Sequence, residues 1–179
     1  MSIRSKDLVD FRLPRWEEFP AFELYIDQVI AFINESLWVF KQDEESIMTP
    51  SMINNYVKNG ILPAPVKKKY NREHLAKLVV LCMGKRMLSI ADLKDSIAVM
   101  SRAFSVSDGY NLLCDEVEYE IKSSVCPQDF PPRWVQAAQS RQVSTMRALA
   151  AAVAKILVFD CLMGQRRRLG VVVSKLNNQ

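Results

Sequence analysis

The chain has 179 residues, 49% of them hydrophobic and 25% charged, a balance that fits one domain of ordinary size or two small ones and excludes wholesale disorder. Five glycines are too few for a multi-turn β-sandwich or a glycine-rich phosphate loop, and one histidine excludes a multi-histidine metal site within a single chain. The net charge of +4 is unevenly spread: −5 over residues 1–57, +7 over 58–86, −5 over 87–130 and +7 over 131–179, so the second block has the charge density of a polyanion contact.

Residues 1–19, with a proline and alternating charges, read as irregular. Pro20 suits the first turn of a helix, where its missing N–H costs nothing. Phe22, Ile26, Val29, Ile30, Ile33 and Leu37 continue at helical spacing, so a helix is predicted over 21–40. KQDEES, residues 41–46, forms a charged connector. Thr49 is a good N-cap, Pro50 fits the first helical position, and Asn59-Gly60 is a good stop, which brackets a helix of about nine residues. Met52, Ile53, Tyr56 and Val57 fall on one side of it. Ser51, Asn54, Asn55 and Lys58 fall on the other. The prolines of ILPAPVKKKY, residues 61–70, forbid a helix there.

Asn71 can cap a helix over 71–85 that buries Leu75, Leu78, Val79 and Cys82. Ser89 with Asp92 resembles a capping box and opens a short helix through Ile90, Leu93, Ile97 and Met100. Residues 103–110 read as a linker. A helix over 110–125 follows, with Leu113, Val117 and Ile121 on one face and Asp115, Glu116, Glu118 and Glu120 on its polar side. Pro127, Pro131 and Pro132 end it. A long helix is predicted over 133–163, where Val143, Met146, Ala150, Val153 and Leu157 step by three and four, a pattern of helix pairing within or between chains. Arg166, Arg167 and Arg168 follow that helix and suit its dipole, and VVVSKL (171–176) fits a short strand or a frayed tail.

The short helix 50–58 carries the most chemical information. Nine residues are too few for a helix stable on its own, so its apolar side must lie on a core. Its other side then offers a hydroxyl, two carboxamides and an ammonium. Asparagine is a poor helix former, so two in succession cost stability without a local return. Asparagine does match adenine in the major groove, and Lys58 can reach a guanine edge or a phosphate. A polar side on a surface helix is ordinary, and so is a solvated lysine run. Helix, turn and the basic loop with Lys67, Lys68, Lys69 and Arg72 together favour DNA.

The stretch MTPSMINNYVKNGILPAPVKKKYNREHLAKL, residues 48–78, resembles the DNA-reading segment of MerR-type winged helix-turn-helix regulators, with Tyr56, Gly60, Leu62, Pro63, Tyr70, Leu75 and LSIADL (88–93) in the corresponding places. Asn54 stands where those helices usually carry arginine, and Asn55 where they carry the first of two aromatics. The wing segment is about four residues shorter than usual and the turn between the first two helices is longer, with the acidic KQDEES inserted. LYIDQVI (24–30), TPSMINNYVKNG (49–60) and KKKYNREHLAKL (67–78) resemble more closely a bacterial family known as domain of unknown function 1836, over about residues 14–103. That resemblance implies a MerR-like DNA-binding fold and brings no established activity.

The expected fold is therefore mainly α: a MerR-like winged helix-turn-helix module over 1–103 and a helical C-terminal region over 104–179 that holds a dimer or receives a signal. The expected function is transcription regulation through double-stranded DNA, read by Ser51, Asn54, Asn55 and Lys58 and neutralised by Lys67, Lys68, Lys69 and Arg72. A homodimer is expected, because one short helix reads few base pairs. The other reading is a protein-interaction adaptor using the same fold. No nucleophile–base pair is legible, so no enzyme, cofactor or metal is expected. His74 reads as a surface or helix-start residue, and Asp43, Glu44 and Glu45 as a solvated acidic run. Cys82, Cys114, Cys126 and Cys161 are scattered as small hydrophobes. The N-terminus lacks the apolar core of a signal peptide, and the apolar run 148–163 is short for a membrane span, so a cytoplasmic protein is expected.

Overall fold

The computed structural model describes residues 4–41, 46–131 and 141–176 and is mainly α-helical. An N-terminal arm holds α1 (Ser5–Val9) and a 3-10 turn at Trp16–Glu18. A two-residue strand β1 (Leu24–Tyr25) leads into α2 (Ile26–Ser36) and a second 3-10 turn at Trp38–Phe40. Then come α3 (Pro50–Lys58), β2 (Lys69–Tyr70), α4 (Arg72–Gly84), α5 (Ile90–Ser101), α6 (Val106–Val125) and α7 (Arg141–Leu176). The strands pair antiparallel, Leu24 with Tyr70 and Tyr25 with Lys69.

One continuous apolar core runs from Leu8 to Cys161 and passes across residue 103. α6 lies inside it. On one side α6 receives α7, whose Met146, Ala150, Val153, Ala154, Leu157 and Cys161 are buried. On the other it receives the arm. Phe19 sits at the junction, with its ring 5.1 Å from Tyr110 and 5.6 Å from Phe32 of α2.

The arm is held by polar bonds as well. Glu118 of α6 accepts from the Leu13 N–H at 2.7 Å and takes both terminal nitrogens of Arg15, at 2.6 and 3.0 Å. The Arg15 guanidinium also reaches Asp115, at 2.8 Å. Hydrogen bonding to Glu118 holds Arg15 protonated above its ordinary range, against the opposing effect of burial. The Tyr110 hydroxyl donates to the Pro14 carbonyl at 2.8 Å, and Asn111 accepts from the Trp16 N–H at 2.9 Å.

Several predicted bounds are corrected by this packing. The helix predicted over 21–40 begins at Ile26, because Leu24 and Tyr25 give their backbone to the sheet. Phe22, placed on its apolar face, is 69% exposed. The arm, read as irregular, contains a helical turn. α6 starts at Val106, since Ser105 rather than the Tyr110 region supplies the cap and accepts from the Asp108 N–H. Glu116, Glu118 and Glu120 are buried instead of lying on a solvated face, because α6 is covered from both sides. Glu116 accepts from Arg147 of α7 at 3.1 Å. α7 continues through Arg166–Arg168 and VVVSKL to Leu176, since glycine weakens a helix without breaking it. The predicted start of that helix at Arg133 and the acids Asp43, Glu44 and Glu45 lie outside the described residues.

Removing one partner of a buried, multiply bonded ion pair leaves a charge with no compensation, at a cost of about 3–5 kcal/mol. Arg15 is partly exposed, so Arg15→Ala is expected to lower unfolding free energy by about 2–3 kcal/mol, allowing for water at the vacated site. Urea titration checks this, and a loss within the error of a surface mutation would assign the arm no part in stability.

Candidate nucleic-acid interface

α3 forms where local chemistry starts and stops it. The Thr49 hydroxyl accepts from the Met52 N–H at 3.3 Å and Pro50 opens the first turn. At the other end Gly60 has φ +64, the left-handed conformation that lets the chain turn away. The N–H groups of Ile61 and Leu62 then bond back to the Tyr56 carbonyl at 3.1 and 3.2 Å. Ile53, Tyr56, Ile61 and Leu62 are buried beneath the helix. Two side chains from elsewhere hold its entry. Asn34 of α2 accepts from the Ile47 N–H at 2.8 Å, and the Lys85 ammonium donates to the Ile47 carbonyl at 2.7 Å.

With that face buried, Ser51, Asn54, Asn55 and Lys58 are all exposed, as the spacing requires. The two carboxamides differ. Asn59 Nδ2 donates to Asn55 Oδ1 at 3.0 Å and to the Asn55 carbonyl at 2.7 Å, so Asn55 is pre-engaged at its oxygen. Among the described residues no hydrogen bond engages the Asn54 side chain, whose amide donor and acceptor both face solvent. Lys94 of α5 reaches the same end of α3. Its ammonium lies 3.5 Å from the Asn59 carbonyl. This exposed cation was invisible to sequence reading, because the hairpin segment and α4 separate it from α3 in the chain.

The basic loop folds as a tight hairpin. The Lys69 N–H donates to the Val66 carbonyl at 2.9 Å, and Lys67 and Lys68 occupy the corners with φ 49 and 65. Positive φ at both central residues is the pattern that matches strand twist, and asparagine and glycine are the residues that normally bear it. Two lysines here store backbone strain. Lys67 and Lys68 are exposed, while Lys69 is half-buried with its ammonium 5.6 Å from the Tyr25 ring. Arg72 is half-buried too, its Nε donating to the Phe19 and Pro20 carbonyls at 3.1 and 3.3 Å. The +7 block is thus less available than its count suggests. Lys77 is paired with Glu73, Arg86 with Asp160, and Lys85 with the Ile47 carbonyl.

His74 is buried, which corrects the surface placement, although it does stand in the first turn of α4. Asn71 Oδ1 accepts from the His74 N–H at 3.2 Å, and His74 Nδ1 accepts from the Asn71 N–H at 3.2 Å. The ring meets Tyr70 edge-on at 5.4 Å, so it braces the end of the hairpin. Burial lowers its proton affinity, against the opposing pull of Glu73. Burial also pushes the Cys82 and Cys114 thiols up to about 12, which leaves them inert. Among the described residues no three His, Cys, Asp or Glu side chains converge as a metal set.

The profile of a domain of unknown function, DUF1836, matches residues 14–117. The chain belongs to that family. Its matched segment begins on the arm at Pro14 and ends in α6, the two pieces joined by the Tyr110–Pro14 bond. The DUF1836 unit therefore includes the first half of α6, beyond the stretch 14–103 that the motifs marked out. A search of curated proteins and one of solved structures each gave no significant match.

Relieving the hairpin strain should stabilise the fold. Lys67→Asn with Lys68→Gly is expected to raise unfolding free energy by roughly 1 kcal/mol in urea titration; a destabilised double variant would mean that the lysines are unstrained there. His74 gives a pH signature. Its folded pKa lies below the ordinary value, so its contribution is whole above about pH 6.5 and is lost as pH falls through the folded pKa. His74→Gln retains a side chain able to complete the cap but does not titrate. It should flatten the stability decline between about pH 7 and about pH 5, read from melting temperature. An unchanged slope would remove His74 as its source.

Proposed function

We propose that this chain is a DNA-binding regulator of transcription with a MerR-like winged helix-turn-helix, in which α3 enters the major groove of double-stranded DNA. The observation that carries the reading is the division of α3 into a buried face, Ile53 and Tyr56, and an outward face of Ser51, Asn54, Asn55 and Lys58. α2 serves as the first helix of the motif and the hairpin at 66–70 as its wing. Asn54 reads adenine through both carboxamide atoms, Asn55 donates its remaining amide hydrogens, and Ser51 and Lys58 flank them. Lys67 and Lys68 neutralise phosphates from the wing, supported by Lys69, by the outer nitrogens of Arg72 and by Lys94.

A homodimer would double the site, and α7 is the element that suits it. It is about 54 Å long at 1.5 Å per residue, and Phe159 on its surface is 60% exposed. α7 from Gln142 to Cys161 is also long and apolar enough to cross a membrane by length and composition. In this fold 28% of that stretch is buried, with Met146, Ala150, Val153, Ala154, Leu157 and Cys161 covered by the core, and the proposed regulator is cytoplasmic. The second reading is a protein-interaction adaptor. It is favoured by Phe22, Tyr25 and Val66, which are 69%, 55% and 65% exposed around the hairpin.

Selection from a random duplex pool at two ionic strengths tests the two readings together. On a selected site Asn54→Ala is expected to lose roughly 1–3 kcal/mol, with little loss on random duplex. Replacing Lys67, Lys68 and Lys69 by alanine should weaken all sequences alike and flatten the salt slope by about 0.9 per lost phosphate contact. Equal losses for Asn54→Ala on selected and random duplex would reject base reading. Duplex affinity that ignores salt would leave the adaptor.

A further inference from the structure

α4, α5, α6 and α7 meet without closing, and leave a partly open cavity of about 90 Å³ between them. Its wall is apolar, with Val80, Ile97, Met100, Leu113, Met146 and Leu149 prominent. Interiors normally pack at crystal density, whereas here the facing apolar sides of four helices leave a gap that is partly open to solvent. α5 shows the consequence. Of its twelve residues Leu93 alone is buried, and Ile90, Ile97 and Met100 are half-covered. Leu93 anchors the helix tightly, since a Cβ at Gly84 would stand 2.3 Å from its Cδ2. Ile97 and Met100 line the cavity and are covered by the core only in part.

The wall also defines what could enter. Its polar side chains are largely committed. Tyr110 donates to the Pro14 carbonyl, Ser101 to the Ile97 carbonyl, and Ser105 caps α6. Lys77, the charged residue of the lining, is paired with Glu73 at 2.7 Å. Among the described residues a charged guest would find no free counter-charge in the lining, and a water would find few of the two to four polar partners it needs. We infer that this cavity of about 90 Å³ binds a small, uncharged, mainly apolar molecule of about six or seven non-hydrogen atoms, the size of the benzene held by an engineered apolar cavity of about 150 Å³, with the open side accommodating the difference. The guest supplies the contacts that α5 lacks. This site is separate from the α3 face and does not depend on DNA binding.

Two methionines on the wall make the test direct. The full-length protein, labelled with 13C at methionine methyls, is titrated with toluene and separately with benzoate, the same ring bearing a carboxylate. Signals of Met100 and Met146, assigned by Met100→Leu and Met146→Leu, should shift saturably with toluene and stay in place with benzoate. Val80→Phe, which fills the cavity, should abolish the toluene shifts, and Ala76→Met serves the same end if the first variant fails to fold. Static Met100 and Met146 signals at toluene saturation would overturn the inference. So would an equal response to benzoate, or toluene shifts that survive in a folded, filled variant.

Discussion

A buried carboxylate organises this molecule. Glu118 accepts the Leu13 N–H and grips Arg15 with both oxygens, which fastens the N-terminal arm along α6. The arm then delivers Phe19 into the core, and the Phe19 and Pro20 carbonyls receive the Nε of Arg72 at the head of α4. Arg72 adjoins Tyr70, the last residue of the hairpin, so the position of the hairpin traces back to an ion pair between the arm and a residue of α6 that lies 103 positions further along the chain. Burying such a pair gains little net stability over an apolar contact, but breaking it is costly, which makes it a device for geometry more than for strength.

α4 is the spine that spreads this geometry. Its first turn braces the hairpin through His74 and Asn71. Its middle forms a wall of the cavity through Ala76, Lys77 and Val80. Just past its end, Lys85 holds the entry to α3 and Arg86 pairs with Asp160 of α7. Hydrogen bonds at both ends and apolar packing between them place the hairpin, the entry to α3 and the cavity on one rod. The basic block 58–86 consequently has two occupations: cations at the turn and at Lys58 face solvent, while those on and after α4 hold the frame.

The DUF1836 match covers most of the arm's contact with α6, while Leu13 and Glu118, which fasten the arm, lie just outside it. A segment that starts at Pro14 and stops at Val117 needs both the arm and α6, because each covers apolar surface that the other would expose. Beyond it, α7 covers the remaining side of α6 and supplies Met146 and Leu149 to the cavity, so the part outside the match completes the core.

Some of this could be read directly from residues. The bounds of α3 were legible because Thr49, Pro50, Asn59 and Gly60 act on the backbone within four residues of themselves, and the caps Asn71 and Ser89 were legible for the same reason. The outward face of Ser51, Asn54, Asn55 and Lys58 followed from helical period alone. Tertiary structure decided the rest. Leu24 and Tyr25 became a strand only because Lys69 and Tyr70 arrive beside them. Glu116, Glu118 and Glu120 were buried only because α6 is covered on two sides, and charge pattern carries no notice of a distant arginine. Sequence determines where short-range hydrogen bonds begin and end an element, whereas burial of a charge, release of Asn54 and a gap among four helices depend on surfaces that meet only when the whole chain has folded.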